Sequence, residues 1–415
     1  MLWIAVRILF LSPRQCWPTV SGAKLREYHC ARALGGHAAL TYVYFSDPGE
    51  ETLTLKDLPF CERIVGIAKP KPYRWGNLLR GIVGSRPLSV LNYTSTEMKR
   101  ALAALPAPSE FDLVHVDSIH MMDYTKLFPG AKIVYNWHNI ESELMRRYSS
   151  MVDSRVDSRV DSRLRSWYAR HTAAKLEYCE REILRTAFGN VVCSEREHVQ
   201  LQRLAPVARI AVVENGVDVQ YFAPLKNQPE TAVETPLRIV FTGKMDYYPN
   251  VDAMTWFARG IWLAIRARIP SIRLSIVGSD PAPEVTALRE IPGVEVTGTV
   301  DDLRPYYRGA LAAIVPLRTG GGTRLKILEA MAARVPVVST QAGAEGLNVT
   351  PGRDILIAGL DAPAWVEQLV QLADSPAERT RLASAAFDLV ASRHDWPLLG
   401  ESLWSAYDDW LRGAA

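Results

Sequence analysis

The amino-acid sequence predicts an α/β chain of two domains, each built on a parallel sheet. Three observations carry that reading. At 415 residues the chain exceeds the ~250 to 300 at which a single hydrophobic core stops growing. Its strand-like runs are continuously apolar, as in strands covered on both faces, rather than alternating. The rhythm of apolar run, turn and amphipathic segment occurs twice, on either side of a polar stretch containing three prolines.

In the first half the strand-like runs are RILFLS (7–12), HAALTYVYF (37–45), DLVHV (112–116), KIVYNW (132–137) and NVVCS (190–194). The opening MLWIAVRILFLS lacks a basic leader and carries Arg7 inside its apolar run, so it reads as a buried first strand rather than a secretion signal. The tandem VDSRVDSRVDSR (152–163) puts Val152, Val156 and Val160 on a drifting helical stripe. It also sets like charges at i,i+4, so it reads as a duplication tolerated in a surface helical hairpin. RLRSWYARHTAAKLEYCEREILRTA (163–187) continues as a long helix with a charged, solvated face.

DVQYFAPLKNQPETAVETP (218–236), with Pro224, Pro229 and Pro236, has the composition of a boundary loop. Beyond it come LRIVFTG (237–243), IRLSIVG (272–278), VEVTG (294–298), LAAIVPL (311–317) and VPVVST (335–340). The Trp-rich, amphipathic HDWPLLGESLWSAYDDWLRG (394–413) is expected to pack back on the first domain. The expected domains are therefore 1–207 together with 394–415, and 208–393.

Composition excludes several classes. The 48 Lys+Arg against 45 Asp+Glu leave a net charge of +3, too even for a nucleic-acid scaffold. Five cysteines without C-x-x-C spacing suggest neither a disulfide framework nor a zinc site, and fit a reducing, cytoplasmic setting. No uncharged apolar stretch reaches the ~18 to 20 residues of a membrane span.

The most informative segment is PLRTGGGTRLKILEAMAARVPVVST (316–340). Gly320, Gly321 and Gly322 stand at a strand-to-helix turn, followed by a helix expected from about Thr323 to Ala333. Such a turn lets backbone approach an anion, and the helix N-terminus adds free N–H groups and a positive dipole. Arg324 and Lys326 lie in the first turn, where cations oppose that dipole unless an anion binds. Glu329, among small and apolar neighbours, needs either ligand hydroxyls or a basic partner.

Four motifs together, LKILEAMAARVPVVST, VENGVD (213–218), FTGKMDYYPN (241–250) and IVGSDP (276–281), resemble the family 4 (group 1) retaining glycosyltransferases. The likeness extends to SPRQCWPTVSGAKLREYHCARAL (12–34) and NWHNIESELMRR (136–147), and so covers nearly the whole chain. It implies the GT-B fold: two Rossmann-like domains with parallel sheets facing a central cleft and a C-terminal helix crossing back to the N-terminal domain. The C-terminal domain would hold the nucleotide sugar, a UDP- or GDP-sugar, and the N-terminal one the acceptor.

On this resemblance Glu329 matches the second carboxylate of the family's Glu, seven residues, Glu motif, with the ribose hydroxyls as partners. Gly321 stands where the first is expected, which puts the donor in question. Lys244 occupies the place of an arginine directed at the diphosphate, and the family's next basic residue has no counterpart in MDYYPN. Arg324 and Lys326 would compensate, giving three cations to offset charge on the leaving diphosphate without a metal. Asp301 and Asp302 are adjacent in VDDLRPYY and read as a helix cap rather than a metal-binding Asp-x-Asp.

His138 matches the family's N-domain histidine, with Asn139 and Glu141 beside it in the loop after KIVYNW. Gly22 matches the glycine-bearing loop where the first helix starts, with Lys24 nearby. Gly278, Ser279 and Val300 are candidates for backbone contacts to the base. The resemblance further implies retention by front-face displacement, with the leaving phosphate taking the acceptor proton.

KPKPYRWGNLLRGIVGSRPLSV (69–90) mixes five cations with Tyr73, Trp75 and Leu78. That blend suits peripheral contact with an anionic membrane and a lipid-linked acceptor; a solvated loop and helix accounts for it equally. The expected activity is sugar transfer to a saccharide or lipid-linked acceptor in cell-surface or exopolysaccharide assembly, on the cytoplasmic side. Two alternatives stay open: a catalytically silent homologue that binds nucleotide sugar or a partner, and a nucleotide-sugar 2-epimerase on the same fold.

Overall fold

The computed structural model describes residues 6–71, 75–106, 108–154, 160–223, 236–319 and 324–413. Gly320, Gly321, Gly322 and Thr323 lie outside them, as do part of the VDSR repeat, Tyr73 and Arg74, and 224–235 of the boundary stretch. The chain divides into two compact units, Met1–Glu214 with Leu399–Ala415, and Asn215–Leu398.

The first unit carries a parallel sheet of seven strands, β1 (Arg7–Ser12), β2 (Ala39–Ser46), β3 (Arg63–Ala68), β4 (Leu113–Val116), β5 (Lys132–Asn136), β6 (Gly189–Val192) and β7 (Ile210–Val212). Their spatial order is β3-β2-β1-β4-β5-β6-β7. Ile8 is paired with Leu40 on one side and Leu113 on the other, so β1 is central and apolar on both faces. Leu9, Leu11, Val43, Val114 and Val116 form its core with helical residues such as Leu176 and Ile183. Because β7 pairs with β6, residues up to Glu214 belong with this unit.

The second unit holds β8 (Arg238–Thr242), β9 (Arg273–Val277), β10 (Val294–Val296), β11 (Ala312–Val315), β12 (Val337–Ser339) and β13 (Leu356–Ile357), ordered β10-β9-β8-β11-β12-β13 and parallel throughout. Its core lies on both faces, around Phe241, Trp262 and Trp365 on one side and Tyr307, Ile327 and Met331 on the other.

Three strands, β3, β7 and β13, fall outside the apolar runs of the sequence. All three are sheet edges with partly exposed residues, so little burial pressure shapes their composition. The helix after β11 is Leu325–Ala332, with Arg324 at its cap. Among the described residues no helix is long and apolar enough to cross a membrane.

Candidate active site

In both sheets the connections leave the central strand in opposite directions, creating a switch point between β1 and β4 and another between β8 and β11. Ligands of such sheets bind outside the carboxyl ends of the strands at these points. Polar residues gather at both.

In the first unit β4 runs straight into the buried Asp117, and β5 ends at the buried Asn136, two residues before His138. The parallel β4–β5 register brings these ends together. Asp117 Oδ2 accepts from His138 Nε2 at 2.7 Å, and Oδ1 accepts from Asn136 Nδ2 at 2.6 Å and faces His115 Nε2 at 3.4 Å. Burial opposes ionisation of Asp117, but the imidazoles of His138 and His115 outweigh it and hold the carboxyl well below the usual range. Burial pushes the His115 pKa down, so His115 is neutral; its Nε2 proton faces Asp117 and its Nδ1 accepts from Tyr407 Oη at 2.7 Å. The bond to Asp117 places a proton on His138 Nε2 and orients the ring.

The helix Gly22–His37 contributes two buried groups, Arg26 and Glu27. Arg26 donates to Asn136 Oδ1 at 2.8 Å and to the Val213 carbonyl at 2.8 Å. Glu27 meets Arg14 Nε at 3.0 Å and accepts from Ser12 Oγ at 3.0 Å. Burial raises the Glu27 pKa well above the ordinary value, Arg14 resists, and the neighbouring Asp117 raises it further. Ser118, immediately after Asp117, is held at φ 131°, a strained conformation for a residue with a side chain and one that collects at ligand sites. Glu27, Asp117 and His138 bring ligand atoms within 4.8 Å of one another. Arg14 already supplies a positive charge to Glu27 there.

Gly22 is the first residue of its helix, behind a Ser21 cap whose Oγ accepts from Lys24 N at 3.4 Å. The Lys24 amine pairs with Glu50 at 2.8 Å. Burial, aided by Glu180, pushes the Glu141 carboxyl up to about 7.

In the second unit Gly243 directly follows β8 and Gly278 directly follows β9. A Cβ on Gly278 would overlap the Gly243 carbonyl oxygen, so these strand ends touch backbone to backbone. The other side of Gly243 is taken by Lys326: a Cβ there would stand 2.9 Å from Lys326 Nζ and from Asn250 Nδ2. Lys326 Nζ donates to Asn250 Oδ1 at 2.8 Å and lies 3.8 Å from the Phe241 ring centroid, while Asn250 Nδ2 donates to the Lys244 carbonyl at 2.8 Å. Burial pushes the Lys326 amine down to about 7, against the pull of Glu329 one turn along the helix. Burial likewise raises the Glu329 carboxyl, offset by Lys326 and by the Tyr307 hydroxyl, which is 3.0 Å from Thr242 Oγ1.

The expected site residues thus separate into two kinds. His138, Lys326 and Glu329 stand at strand ends among polar partners. The buried Arg324 instead donates from Nη2 to the Ala342 carbonyl at 2.9 Å, tying its helix to the segment after β12. Lys244 is exposed and pairs with Asp246 at 2.9 Å and Asp280 at 3.7 Å. Val300 packs against the apolar cluster around Tyr307.

Sequence reasoning missed Glu27, Asp117, Arg26, Asn250 and Tyr307. Asp117 had a legible signal, an acidic residue closing the apolar run DLVHV. Glu27 and Arg26 had none, because charges on an amphipathic helix ordinarily face water.

Comparison with known proteins decides the family. A model of glycosyl transferases group 1 matches residues 236–375, and a model of glycosyltransferase family 4 matches residues 59–221. The chain belongs to the family 4, group 1 glycosyltransferases. One relative is the GDP-mannose-dependent monoacylated alpha-(1-6)-phosphatidylinositol monomannoside mannosyltransferase of Corynebacterium glutamicum. It is 32% identical over 209 residues, covering 46% of this chain and 53% of that protein. The chain spans about half the length of the curated relatives it matches, from 42% to 58%.

Among solved structures, sucrose-phosphate synthase of Thermosynechococcus elongatus has a TM-score of 0.68 at 18% identity, covering 99% of this chain and 100% of that one. Anabaena HepE in complex with UDP and glucose has a TM-score of 0.63 at 14% identity, covering 97% and 99%. The fold is GT-B. In this chain Lys326, carried by a helix, lies against Gly243 just after β8, whereas Lys244 in the strand's own loop pairs with Asp246.

Proposed function

We propose that this chain transfers a sugar, with retention of configuration, from a UDP- or GDP-sugar to a saccharide or lipid-linked acceptor in cell-surface polysaccharide assembly, at the cytoplasmic side of the membrane. The observation that carries the reading is Lys326 Nζ beside Gly243 at the β8–β11 switch point, with Glu329 one turn further along the same helix. A cation against bare backbone suits a diphosphate, and a carboxyl beyond it suits the ribose hydroxyls. The N-terminal unit is the acceptor side and the C-terminal unit the donor side. HepE, which was solved with UDP and glucose, supports a uridine nucleotide, and the mannosyltransferase relative supports GDP-mannose.

In the reaction the bond from the anomeric carbon to the diphosphate breaks and a bond to the acceptor oxygen forms on the same face. The acceptor proton goes to the leaving diphosphate. Lys326, helped by Lys244, offsets the charge that grows there, so no metal is required. His138 hydrogen-bonds a sugar hydroxyl through Nδ1.

Calorimetry with UDP-, GDP-, ADP- and dTDP-sugars, followed by assay of nucleotide release without acceptor, tests this reading. Selective binding of one donor with slow release of its nucleoside diphosphate is expected. Binding of none would overturn the transferase reading and favour a silent homologue, in keeping with Gly321 where the family carries Glu.

A further inference from the structure

The helix Trp75–Val83 is built inside out. Trp75, Leu79, Ile82 and Val83 fall at i, i+4, i+7 and i+8, the spacing of a core-facing stripe, yet they are 84%, 66%, 56% and 86% exposed. The rest of the helix is pinned. Asn77 Nδ2 donates to the Leu91 carbonyl at 2.9 Å, and Gly81 lies against Leu88. Lys175, from the helix Val160–Thr186, caps its end by donating to the carbonyls of Gly81 and Ile82 at 2.6 and 2.9 Å.

That neighbouring helix extends the same surface. His171 Nε2 is 3.3 Å from the Ile82 carbonyl and its ring is stacked on Trp167. Trp167, Tyr168 and Tyr178 are exposed, as are Arg165 and Arg170. The charge leans basic: residues 69–90 hold five Lys or Arg and no acidic residue, and 161–178 hold Arg163, Arg165, Arg170 and Lys175 against Asp161 and Glu177, the latter paired with Arg146 and Arg181. Arg86 pairs with Glu182 and Asp123, and Lys69 with Asp47.

We propose that these two helices form a docking face for an anionic lipid bilayer. The proposal takes from the transferase reading only its expectation of a lipid-linked acceptor. Interleaved aromatic, aliphatic and basic side chains suit the boundary between headgroups and acyl chains. At nine residues, ~13 Å, the Trp75–Val83 helix lies in that boundary and does not span. A second copy of this chain is a poorer occupant, since a two-fold contact would set the basic surface against itself.

The test is co-sedimentation of the full chain with phosphatidylcholine vesicles and with phosphatidylcholine–phosphatidylglycerol vesicles. Binding to the anionic vesicles, weakened by salt and absent from the neutral ones, is expected. Trp75→Ser with Leu79→Ser and Ile82→Ser should lower the partition coefficient at least about tenfold, as should Arg80→Glu with Arg170→Glu. Nucleotide-sugar affinity, measured on the same variants without vesicles, should stay unchanged. No binding to anionic vesicles at low salt, equal binding by the variants, or a concentration-dependent dimer abolished by the serine variant would overturn the proposal. None of these results would touch the transferase reading, which the nucleotide-sugar panel tests separately.

Discussion

The two switch points solve the same topological problem with opposite polar chemistry. Between β1 and β4 the charges answer each other: Asp117 has His138, His115 and Asn136, and Glu27 has Arg14 and Ser12. Between β8 and β11 the Lys326 amine rests on an amide and an aromatic face, and burial has pushed it to about 7. A closed network orients the His138 ring, and removing a member leaves buried charge behind. An amine bonded to an amide rather than to a carboxylate gains most when an anion arrives. The first arrangement serves orientation and the second serves binding.

Asp117→Ala should give the largest effect. It strips the partner from His138, His115 and Asn136 in a buried site and should cost about 3–5 kcal/mol of stability, read as a fall in denaturation midpoint. Glu27→Gln should be far milder, because burial and the neighbouring Asp117 raise the Glu27 pKa and Gln keeps its shape. Equal losses in the two variants would break the picture of two carboxyls pushed in opposite directions by their surroundings.

Lys326→Met should lower nucleoside diphosphate affinity roughly tenfold to a hundredfold while leaving the fold intact. The sign with pH follows from an amine near 7 in the folded protein and near its ordinary value when unfolded. Between those values the unfolded chain binds the extra proton, so unliganded stability rises with pH. Affinity runs the other way: from pH 7.5 to 9.5 the wild-type site must take up a proton to bind, so affinity falls and calorimetry in buffers of different ionisation enthalpy detects the uptake. The methionine variant should be flat over that window. A wild type without proton uptake would show that Lys326 does not meet the diphosphate.

Smaller again, Glu329→Ala should weaken ribonucleotides by about fivefold, near 1 kcal/mol, and 2′,3′-dideoxynucleotides hardly at all. An equal effect on both would remove the ribose from that carboxyl. Lys244→Ala should be smallest, less than about fivefold and fading with salt, since the amine is exposed and shared between Asp246 and Asp280. A loss larger than that of Lys326→Met would reverse the assignment of the main cation.

The same contrast explains what could be read from the sequence. The central strands were legible because double burial forces continuous apolar runs such as RILFLS and LRIVFTG, whereas the edge strands β3, β7 and β13 carry no such constraint. Lys326 and Glu329 announced themselves as charges out of place on an apolar helix. The network around His138 did not, because it is made by register. Asp117 and Asn136 meet only when β4 lies beside β5, and Arg26 reaches Asn136 from a helix 110 residues away in sequence. Arg324 shows what a helix-start position alone leaves out: its Nη2 also donates to the carbonyl of Ala342.

The bond from Tyr407 to His115 has a consequence for how the chain is made. Tyr407 comes from the helix Trp396–Arg412, so the earliest unit to leave the ribosome lacks one member of its polar centre until Asn215–Leu398 has been synthesised. At ~5–20 residues per second that is a wait of roughly ten seconds or more. Through that interval His115 has no phenol to hold its Nδ1, and the first unit matures only after the second has emerged.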